Sequence, residues 1–146
     1  MLRCRNAGLC LSTIALGVLL ALESASAQVV RNGPADPPVL DQQFGNATFY
    51  ASRFDGRLTA SGRIFDGHEA IAAHRSYPFG TVVRVTCVRN RRSVNVVIVD
   101  RGPYSKSQHK AAIIDLSRSA AEHLGIISIG RARVKLEVLH WGKWVE

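Results

Sequence analysis

One carboxylate, Asp100, stands where acid–base chemistry could occur. It directly follows the β-branched run at residues 93–99, and alternate positions of that run share a face with it: Val94, Val96, Ile98 and Asp100. Desolvation at the end of an apolar face raises the pKa of a carboxyl group, which can then stay protonated near neutral pH and donate a proton. The same residue could instead form the turn at Gly102-Pro103 and pair with Arg101. The run alone does not decide between these two roles.

His74 is the second candidate for chemistry, and it follows two small apolar residues, Ala72 and Ala73. A lone histidine in such a setting is more often structural than catalytic, so both roles stay open. The chain has five histidines, and their spacing shows no metal-ligand pattern. No phosphate-binding glycine loop, paired-cysteine motif or serine nucleophile elbow occurs in the sequence either. The sequence therefore predicts no metal and no other cofactor.

The N-terminus has the features of a cleavable signal peptide. Two arginines, Arg3 and Arg5, precede an apolar run at residues 11–22, which is too short to cross a bilayer as a helix. The small residues Ala-Ser-Ala at 25–27 then match the requirement of a signal peptidase. We therefore predict a signal peptide at residues 1–27.

The expected product is an exported protein of the periplasm or the wider cell envelope, without a lipid anchor. Cys10 follows the bulky Leu9 and precedes the apolar run, so it is not placed to carry a lipid. Cleavage leaves Cys87 as the only cysteine, which excludes an intramolecular disulfide. Cys87 is in phase with Val83 and Val85, and we expect it to be buried.

The net charge of +8 points to a polyanionic partner. Loss of residues 1–27 removes two arginines and one glutamate and leaves a net charge of +7. In the cytoplasm nucleic acid would be the first candidate, but outside it the polyanions are wall polymers, anionic lipid head groups and peptides with carboxylates. A basic surface with no specific partner is the alternative. We therefore expect no nucleic-acid partner and, once the apolar run is cleaved, no stable membrane anchor.

The elements that must position these residues belong to one small domain. Residues 28–43 hold three of the five prolines, a composition typical of a flexible linker. The domain itself is predicted at residues 44–139, followed by a tail at 140–146 that contains Trp141 and Trp144. We expect these tryptophans to cap the end of the domain rather than to bind sugar, whereas an exposed tryptophan would reopen the option of sugar binding.

Short strands and one helix are predicted within this domain. The helix begins after Ser117, which can cap its N-terminus, and stops at Gly125. Three arginines and one asparagine at residues 89–92 separate two β-branched runs and indicate a hairpin. The predicted strands lie at residues 47–51, 81–88, 93–99 and 132–139. Several short strands with glycine-rich turns favour a small barrel.

Seven short motifs follow one another along the domain: Thr48-Phe49-Tyr50, Leu58-Thr59-Ala60-Ser61-Gly62, Ala72-Ala73-His74-Arg75, Pro78-Phe79-Gly80-Thr81, Val83-Arg84-Val85-Thr86, Val99-Asp100-Arg101-Gly102-Pro103-Tyr104 and Ile114-Asp115-Leu116-Ser117. In this order, over residues 46–139, they resemble the rare lipoprotein A family of the bacterial envelope. The resemblance implies a mainly β fold, a six-stranded double-psi β-barrel with one short helix. Expansins, some cellulases and some lytic transglycosylases share that fold.

The resemblance also implies a function. A groove across the barrel would bind peptidoglycan glycan strands, and lytic transglycosylation would cut them to 1,6-anhydro products, with a preference for strands stripped of their peptides. Asp100 matches the catalytic acid of the family, and His74 matches its active-site histidine. The predicted substrate-binding residues are Tyr50, Thr59, Arg101 and Tyr104.

One position departs from the family pattern. Relatives often carry a glutamate after Gly62, where this chain has Arg63, and Asp66 and Glu69 are the nearby acids that could replace it. Lytic transglycosylation can proceed with a single acid, because the sugar's own 6-hydroxyl attacks, whereas glycoside hydrolysis usually needs two carboxyl groups. Two alternatives stay open: an expansin-like module that binds wall glycan without cutting it, and an inhibitor or partner protein that uses its basic surface.

Overall fold

The computed structural model describes residues 36–104 and 112–143, and six strands account for much of this part of the chain. They are β1 (Asp41–Phe49), β2 (Ile71–His74), β3 (Val82–Cys87), β4 (Ser93–Asp100), β5 (Ala112–Leu116) and β6 (Ala132–His140). An α-helix, α1, spans Arg118–Leu124, and short 3-10 helices cover Ser52–Phe54 and Ile127–Ile129. The strands close into a barrel in the order β1-β5-β2-β4-β3-β6. The predicted six-stranded barrel with one short helix is confirmed.

Two of the six strand pairs are parallel, β1 with β5 and β2 with β4, and the other pairs are antiparallel. Alternate residues of the longer strands point into the barrel and form its main core. On β3 these are Val83, Val85 and Cys87, and Cys87 is 1% exposed. The predicted burial of this cysteine is confirmed.

Helix α1 lies in the connection from β5 to β6, and it begins and ends where the sequence predicts. The Ser117 hydroxyl accepts a hydrogen bond from the backbone N–H of Ala120, which satisfies one of the free donors of the first turn. Gly125 ends the helix in the left-handed conformation at φ 70°. Its apolar stripe of alanines and Leu124 is buried in the main core.

The domain boundaries differ slightly from those predicted. Strand β1 begins at Asp41, where it pairs with Val138 of β6, so residues 41–43 belong to the barrel and not to the linker. Strand β6 continues to His140, the first residue of the predicted tail. The signal peptide and Trp144 lie outside the described residues. In the described part of the chain, no helix has the length and apolar content needed to cross a membrane.

A second, smaller apolar cluster lies outside the main core. Phe65, Ile71 and Val99 form it, and Tyr50 and Phe54 pack against them. Ile71 precedes Ala72, which faces the main core, so this cluster covers the other face of β2. It therefore fixes the long connection between β1 and β2 on the outside of the barrel and holds Tyr50 there.

Candidate functional site

A β-bulge at the end of β4 sets the direction of Asp100. Ala72 lies opposite Ile98 and Ala73 lies opposite Asp100, so Val99 is the extra residue on β4. Ile98 packs in the main core, whereas Asp100 lines a cavity with residues of the second cluster. The prediction that Asp100 continues the face of Ile98 is therefore wrong, because the bulge turns the carboxylate away from it.

Two carboxylates flank a single alanine on the outside of the barrel. Ala73 pairs with Asp100 on β4 and with Asp115 on β5. Cross-strand neighbours present their side chains on the same face, and two strand spacings separate these acids by about 10 Å between Cα atoms. Sequence reasoning did not select Asp115 as a site residue. The signal was present, because Asp115 is the only charged residue of β5.

These carboxylates line a cavity of about 510 Å³. All the predicted substrate-binding residues line it as well: Tyr50, Thr59, Arg101 and Tyr104. A neighbouring cavity of about 280 Å³ shares four of its lining residues: Tyr50, Phe54, Pro103 and Asp115. We call the two cavities together the Asp100 cleft. The structure thus brings five of the six predicted site residues to one place, and their roles stay predictions.

Three hydrogen bonds fix the Asp100 carboxylate. The Tyr50 hydroxyl donates to Oδ2 at 2.7 Å, and the backbone N–H groups of Ala60 and Arg101 donate to Oδ1, each at 2.8 Å. Burial raises the pKa of Tyr50 well above its usual range, and the bond to Asp100 raises it further, so this hydroxyl remains a donor. Oδ2 accepts one of the three bonds and Oδ1 accepts two. Oδ2 is therefore the oxygen with room for a transferable proton.

The Arg101 side chain turns away from Asp100. Its Nη1 donates to the backbone carbonyls of Tyr77, at 2.8 Å, and His74, at 3.3 Å. Its guanidinium carbon lies 3.8 Å from the centroid of the Phe79 ring. Among the groups of Arg101, only the backbone N–H binds the Asp100 carboxylate in the described structure, so the alternative in which Asp100 forms an ion pair with Arg101 is not observed.

His74 lies on the other side of the sheet. Because Ala73 and His74 are consecutive in β2, their side chains point to opposite faces, and Ala73 shares its face with Asp100. His74 pairs with Ile114 of the main core and is 3% exposed. It is not among the described residues that line the Asp100 cleft. Proton transfer by His74 to a substrate stays a prediction that this placement does not favour.

The contacts of His74 give it a different part in the site. Its Nδ1 accepts the backbone N–H groups of Tyr77, at 3.1 Å, and Ser76, at 3.3 Å, and its ring stacks on Tyr77 at 3.7 Å. Burial, together with Arg75 and Arg101, lowers the pKa of His74 to about 4, so the ring is neutral at pH 7. The histidine therefore holds the turn whose carbonyls bind Arg101.

The loop around Arg63 folds back on itself at the edge of the cleft. Thr59 is 5% exposed, and its hydroxyl donates to the carbonyl of Arg63 at 2.9 Å. The Arg63 guanidinium forms an exposed ion pair with Glu69 at 2.9 Å. Asp66 accepts the backbone N–H of His68. Arg63, Asp66 and Glu69 are absent from the described cleft lining, so the structure does not support either acid as a replacement for the family glutamate.

Positive charge surrounds the apolar wall of the cleft. The guanidinium groups of Arg53 and Arg57 lie 5.0 Å and 5.5 Å from the centroid of the Phe54 ring, and each lines part of the cleft. Across residues 36–104 and 112–143, no three histidine, cysteine or acidic side chains come together as a metal site. The described groups available for chemistry in the cleft are therefore its two carboxylates, its tyrosine and threonine hydroxyls, and its arginines.

Comparison with known protein families gives a match over residues 42–136, to the family described as lytic transglycolase. This match covers well over half of the chain. The chain belongs to the lytic transglycolase family. The family predicted from the seven motifs is thereby confirmed, since curated relatives carry the name RlpA, the abbreviation of rare lipoprotein A.

Two relatives illustrate the similarity. "Probable endolytic peptidoglycan transglycosylase RlpA" of Aquifex aeolicus is 46% identical over 98 residues, which is 67% of this chain and 42% of that protein. The protein of the same name from Nostoc sp. is 52% identical over 97 residues, which is 65% of this chain and 25% of that protein. The chain thus spans less than half the length of these lytic transglycolase relatives.

Solved structures support the fold. The expansin of Clavibacter michiganensis matches with a TM-score of 0.54 and 20% identity, over 70% of this chain and 52% of that one. At this identity the likeness concerns the fold alone. Together with the barrel order, it confirms the predicted double-psi β-barrel of this lytic transglycolase family member.

Proposed function

We propose that this chain is an exported lytic transglycosylase that cuts peptidoglycan glycan strands and leaves 1,6-anhydro products. The observation that carries the proposal is the Tyr50–Asp100 pair inside a cleft, in a chain of the lytic transglycolase family. The names of relatives that include peptidoglycan transglycosylase support the same reaction.

Asp100 can serve the two halves of this reaction in turn. Its protonated Oδ2 gives a proton to the glycosidic oxygen as the bond from that oxygen to the anomeric carbon breaks. The 6-hydroxyl of the same sugar then bonds to the anomeric carbon and returns its proton to the carboxylate, which regenerates the acid. Between these steps the Tyr50 hydroxyl and the two backbone N–H groups stabilise the negative charge on Asp100.

Asp115 provides a second negative charge in the cleft. A carboxylate on the far side of Ala73 can stabilise the positive charge that develops at the anomeric carbon while the bond breaks. The reaction needs no proton transfer from it, because the attacking hydroxyl belongs to the substrate. Asp115 thus supports Asp100 without replacing it.

The arginines of the cleft suit the charge of the substrate. A glycan strand stripped of its peptides exposes the lactyl carboxylate of each muramic acid. Arg53 and Arg57 hold positive charge beside the apolar wall at Phe54, where such carboxylates can pair with a guanidinium group. This arrangement supports glycan strands of peptidoglycan as the substrate class.

Export is part of the same proposal, because peptidoglycan lies outside the cytoplasm. It rests on the charged, apolar and small-residue segments of residues 1–27. The mass of the secreted protein tests it. We expect a mature chain that begins at Gln28 and carries no lipid, and an intact N-terminus or a lipid adduct would contradict this.

Digestion of purified sacculi tests the activity. We expect soluble fragments with 1,6-anhydro ends, identified by mass analysis, from the wild type and at least about a hundredfold less from Asp100→Asn. Pelleting with sacculi without any anhydro product would favour the expansin-like alternative. Products with reducing ends instead of anhydro rings would show that the cleft hydrolyses the glycan through a water molecule.

A further inference from the structure

Trp141 is an exposed aromatic residue held in a fixed position. It follows β6 and is 39% exposed. The next residue, Gly142, donates its backbone N–H to the Thr81 hydroxyl at 3.0 Å. A Cβ on Gly142 would lie 2.0 Å from the carbonyl oxygen of Phe79, so only glycine fits there. The chain at Gly142 is thus packed closely against the backbone after Phe79, and Trp141 remains exposed beside this contact.

A second aromatic side chain stands beside it. Tyr77 and Trp141 meet edge to face, with ring centroids 5.3 Å apart at 84°. Tyr77 is held on two sides, by stacking on His74 and by donation of its hydroxyl to Asp41 at 2.9 Å. The two aromatic residues line a cavity of about 480 Å³ together with Ser76, Pro78 and Gly142.

The composition of this cavity matches one class of ligand. A pyranose ring has a flat face of C–H groups and a rim of hydroxyls. An indole presents a flat apolar surface, and the exposed Ser76 offers a hydroxyl for the rim. Fixed aromatic side chains bind at low cost in conformational entropy, because little rotamer freedom is lost on contact.

The cavity is connected to the Asp100 cleft through direct contacts. Arg101 lines the cleft and donates to the carbonyl of Tyr77 at 2.8 Å. In the other direction, Arg75 donates from Nε to the carbonyl of Pro103 at 3.0 Å, and Pro103 also lines the cleft. The turn that carries Tyr77 therefore forms the boundary between the two sites.

We propose that Trp141, supported by the buried Tyr77, forms a second glycan subsite, which binds a pyranose residue of the same strand that the Asp100 cleft cuts. This inference rests on the proposed function for the identity of the glycan. A strand long enough to reach both sites gains contact with Trp141, whereas a short oligosaccharide fits within the Asp100 cleft alone. The subsite would thus favour long strands.

Calorimetric binding to the Asp100→Asn protein tests the subsite, because we expect that variant to bind the glycan with little cutting. The ligands are peptide-free glycan strands of peptidoglycan, in one long and one tetrasaccharide fraction. We expect Trp141→Ala to weaken binding of the long strands about tenfold, with little change for the tetrasaccharide. Trp141→Phe should retain most of the affinity. Phe44→Ala removes a more exposed aromatic side chain from β1 and should change the binding of neither ligand.

Two results would overturn the inference. One is equal binding of long strands with and without the indole, and the other is an equal loss for both ligand lengths. Thermal melting of each variant checks that the fold is intact, and Trp141→Phe supplies a conservative comparison. The proposed function can fail separately. If the wild type gives no anhydro products but Trp141→Ala still loses affinity for long strands only, the enzymatic activity is refuted and the subsite is supported.

Discussion

The barrel contains two tyrosine–aspartate pairs of nearly equal geometry and different surroundings. Tyr50 donates to Asp100 at 2.7 Å, and Tyr77 donates to Asp41 at 2.9 Å. Burial, followed by the hydrogen bond to the aspartate, raises the pKa of both tyrosines above the usual range. Both tyrosines therefore stay protonated and act as donors at all physiological pH values.

The difference lies in what else each aspartate contacts. Asp100 also accepts two backbone N–H groups and lines a cavity with a second carboxylate, Asp115. Asp41 is the first residue of β1 and anchors a tyrosine that is 4% exposed. The Tyr50–Asp100 pair thus contains a candidate acid in an open cleft, whereas the Tyr77–Asp41 pair stabilises the end of the barrel. Surroundings decide the role, and substitutions can separate the two.

The largest expected effect is on Asp100. Asp100→Asn keeps the shape but cannot give up a proton as an acid, so cleavage of sacculi should fall about a hundred- to ten-thousandfold. The matched change Asp41→Asn weakens one structural hydrogen bond. It should lower the free energy of unfolding by about 1 kcal/mol and leave cleavage nearly unchanged. Quantified anhydro products measure both. Similar losses from the two variants would refute the division of roles.

His74 should respond to the kind of replacement. His74→Ala removes the acceptor that holds the turn below Arg101, and cleavage should fall roughly ten- to a hundredfold, the scale of a small displacement in a site. His74→Asn offers an amide oxygen near the position of Nδ1 and should recover most of this loss, mainly in kcat. If His74 transferred protons instead, Asn and Ala would be equally inactive.

The two tyrosines give a smaller contrast. Tyr50→Phe and Tyr77→Phe each remove one hydrogen bond to a carboxylate, and each should lower the free energy of unfolding by about 1–3 kcal/mol. Only Tyr50→Phe should also slow cleavage, because it removes a donor from the candidate acid. Urea unfolding combined with the cleavage assay separates these effects. A slow Tyr77→Phe enzyme with normal stability would contradict the comparison.

Acid should destabilise the Tyr77 region through His74. The folded pKa of about 4 lies below the ordinary value of 6.5, so the unfolded chain binds more protons between these values. The contribution of His74 is therefore complete above about pH 6.5 and decreases as the pH falls towards 4. The stability difference between wild type and His74→Asn, measured by urea unfolding at each pH, should shrink over this range. A difference that does not depend on pH would contradict it.

The smallest effect is expected at Arg63. Arg63→Glu breaks an exposed ion pair with Glu69 and should change the free energy of unfolding by less than about 1 kcal/mol. Cleavage should remain nearly unchanged, since the guanidinium group points to Glu69 and the residue is not part of the described cleft lining. A marked rise in cleavage would show instead that a carboxylate at this position reaches the substrate.

Much of the barrel follows from local sequence patterns. The alternation in β3, β4 and β6 predicts these strands, and the caps at Ser117 and Gly125 predict the helix ends. Strand β5 was not predicted, because four of its five residues are apolar, and β2 was not predicted because all four of its residues are buried, which leaves no alternation to detect. The positions of both strands depend on partners that are distant in sequence.

The sequence predicted only part of the site, because the rest also depends on strand partners that are distant in sequence. The chain position of Asp100, between a β-branched run and a Gly-Pro turn, points to the end of a strand. The bulge at Val99 could not be read from the run, because pairing with Ala73 creates it. The separation of His74 from the cleft also depends on the two faces of β2. Family motifs identify these residues in the sequence, but only strand pairing shows which face of the sheet each one occupies.

The short strand β2 has a further consequence for how the cleft can change. Ala73 is hydrogen-bonded into the sheet between the strands that carry Asp100 and Asp115, so peptide geometry sets the separation of the two acids. Changes in the length or sequence of the loops that line the cleft would alter which molecules it admits, while the separation of the two acids stays constant. The loops thus determine what enters the cleft, and strand β2 determines the distance between its two acids.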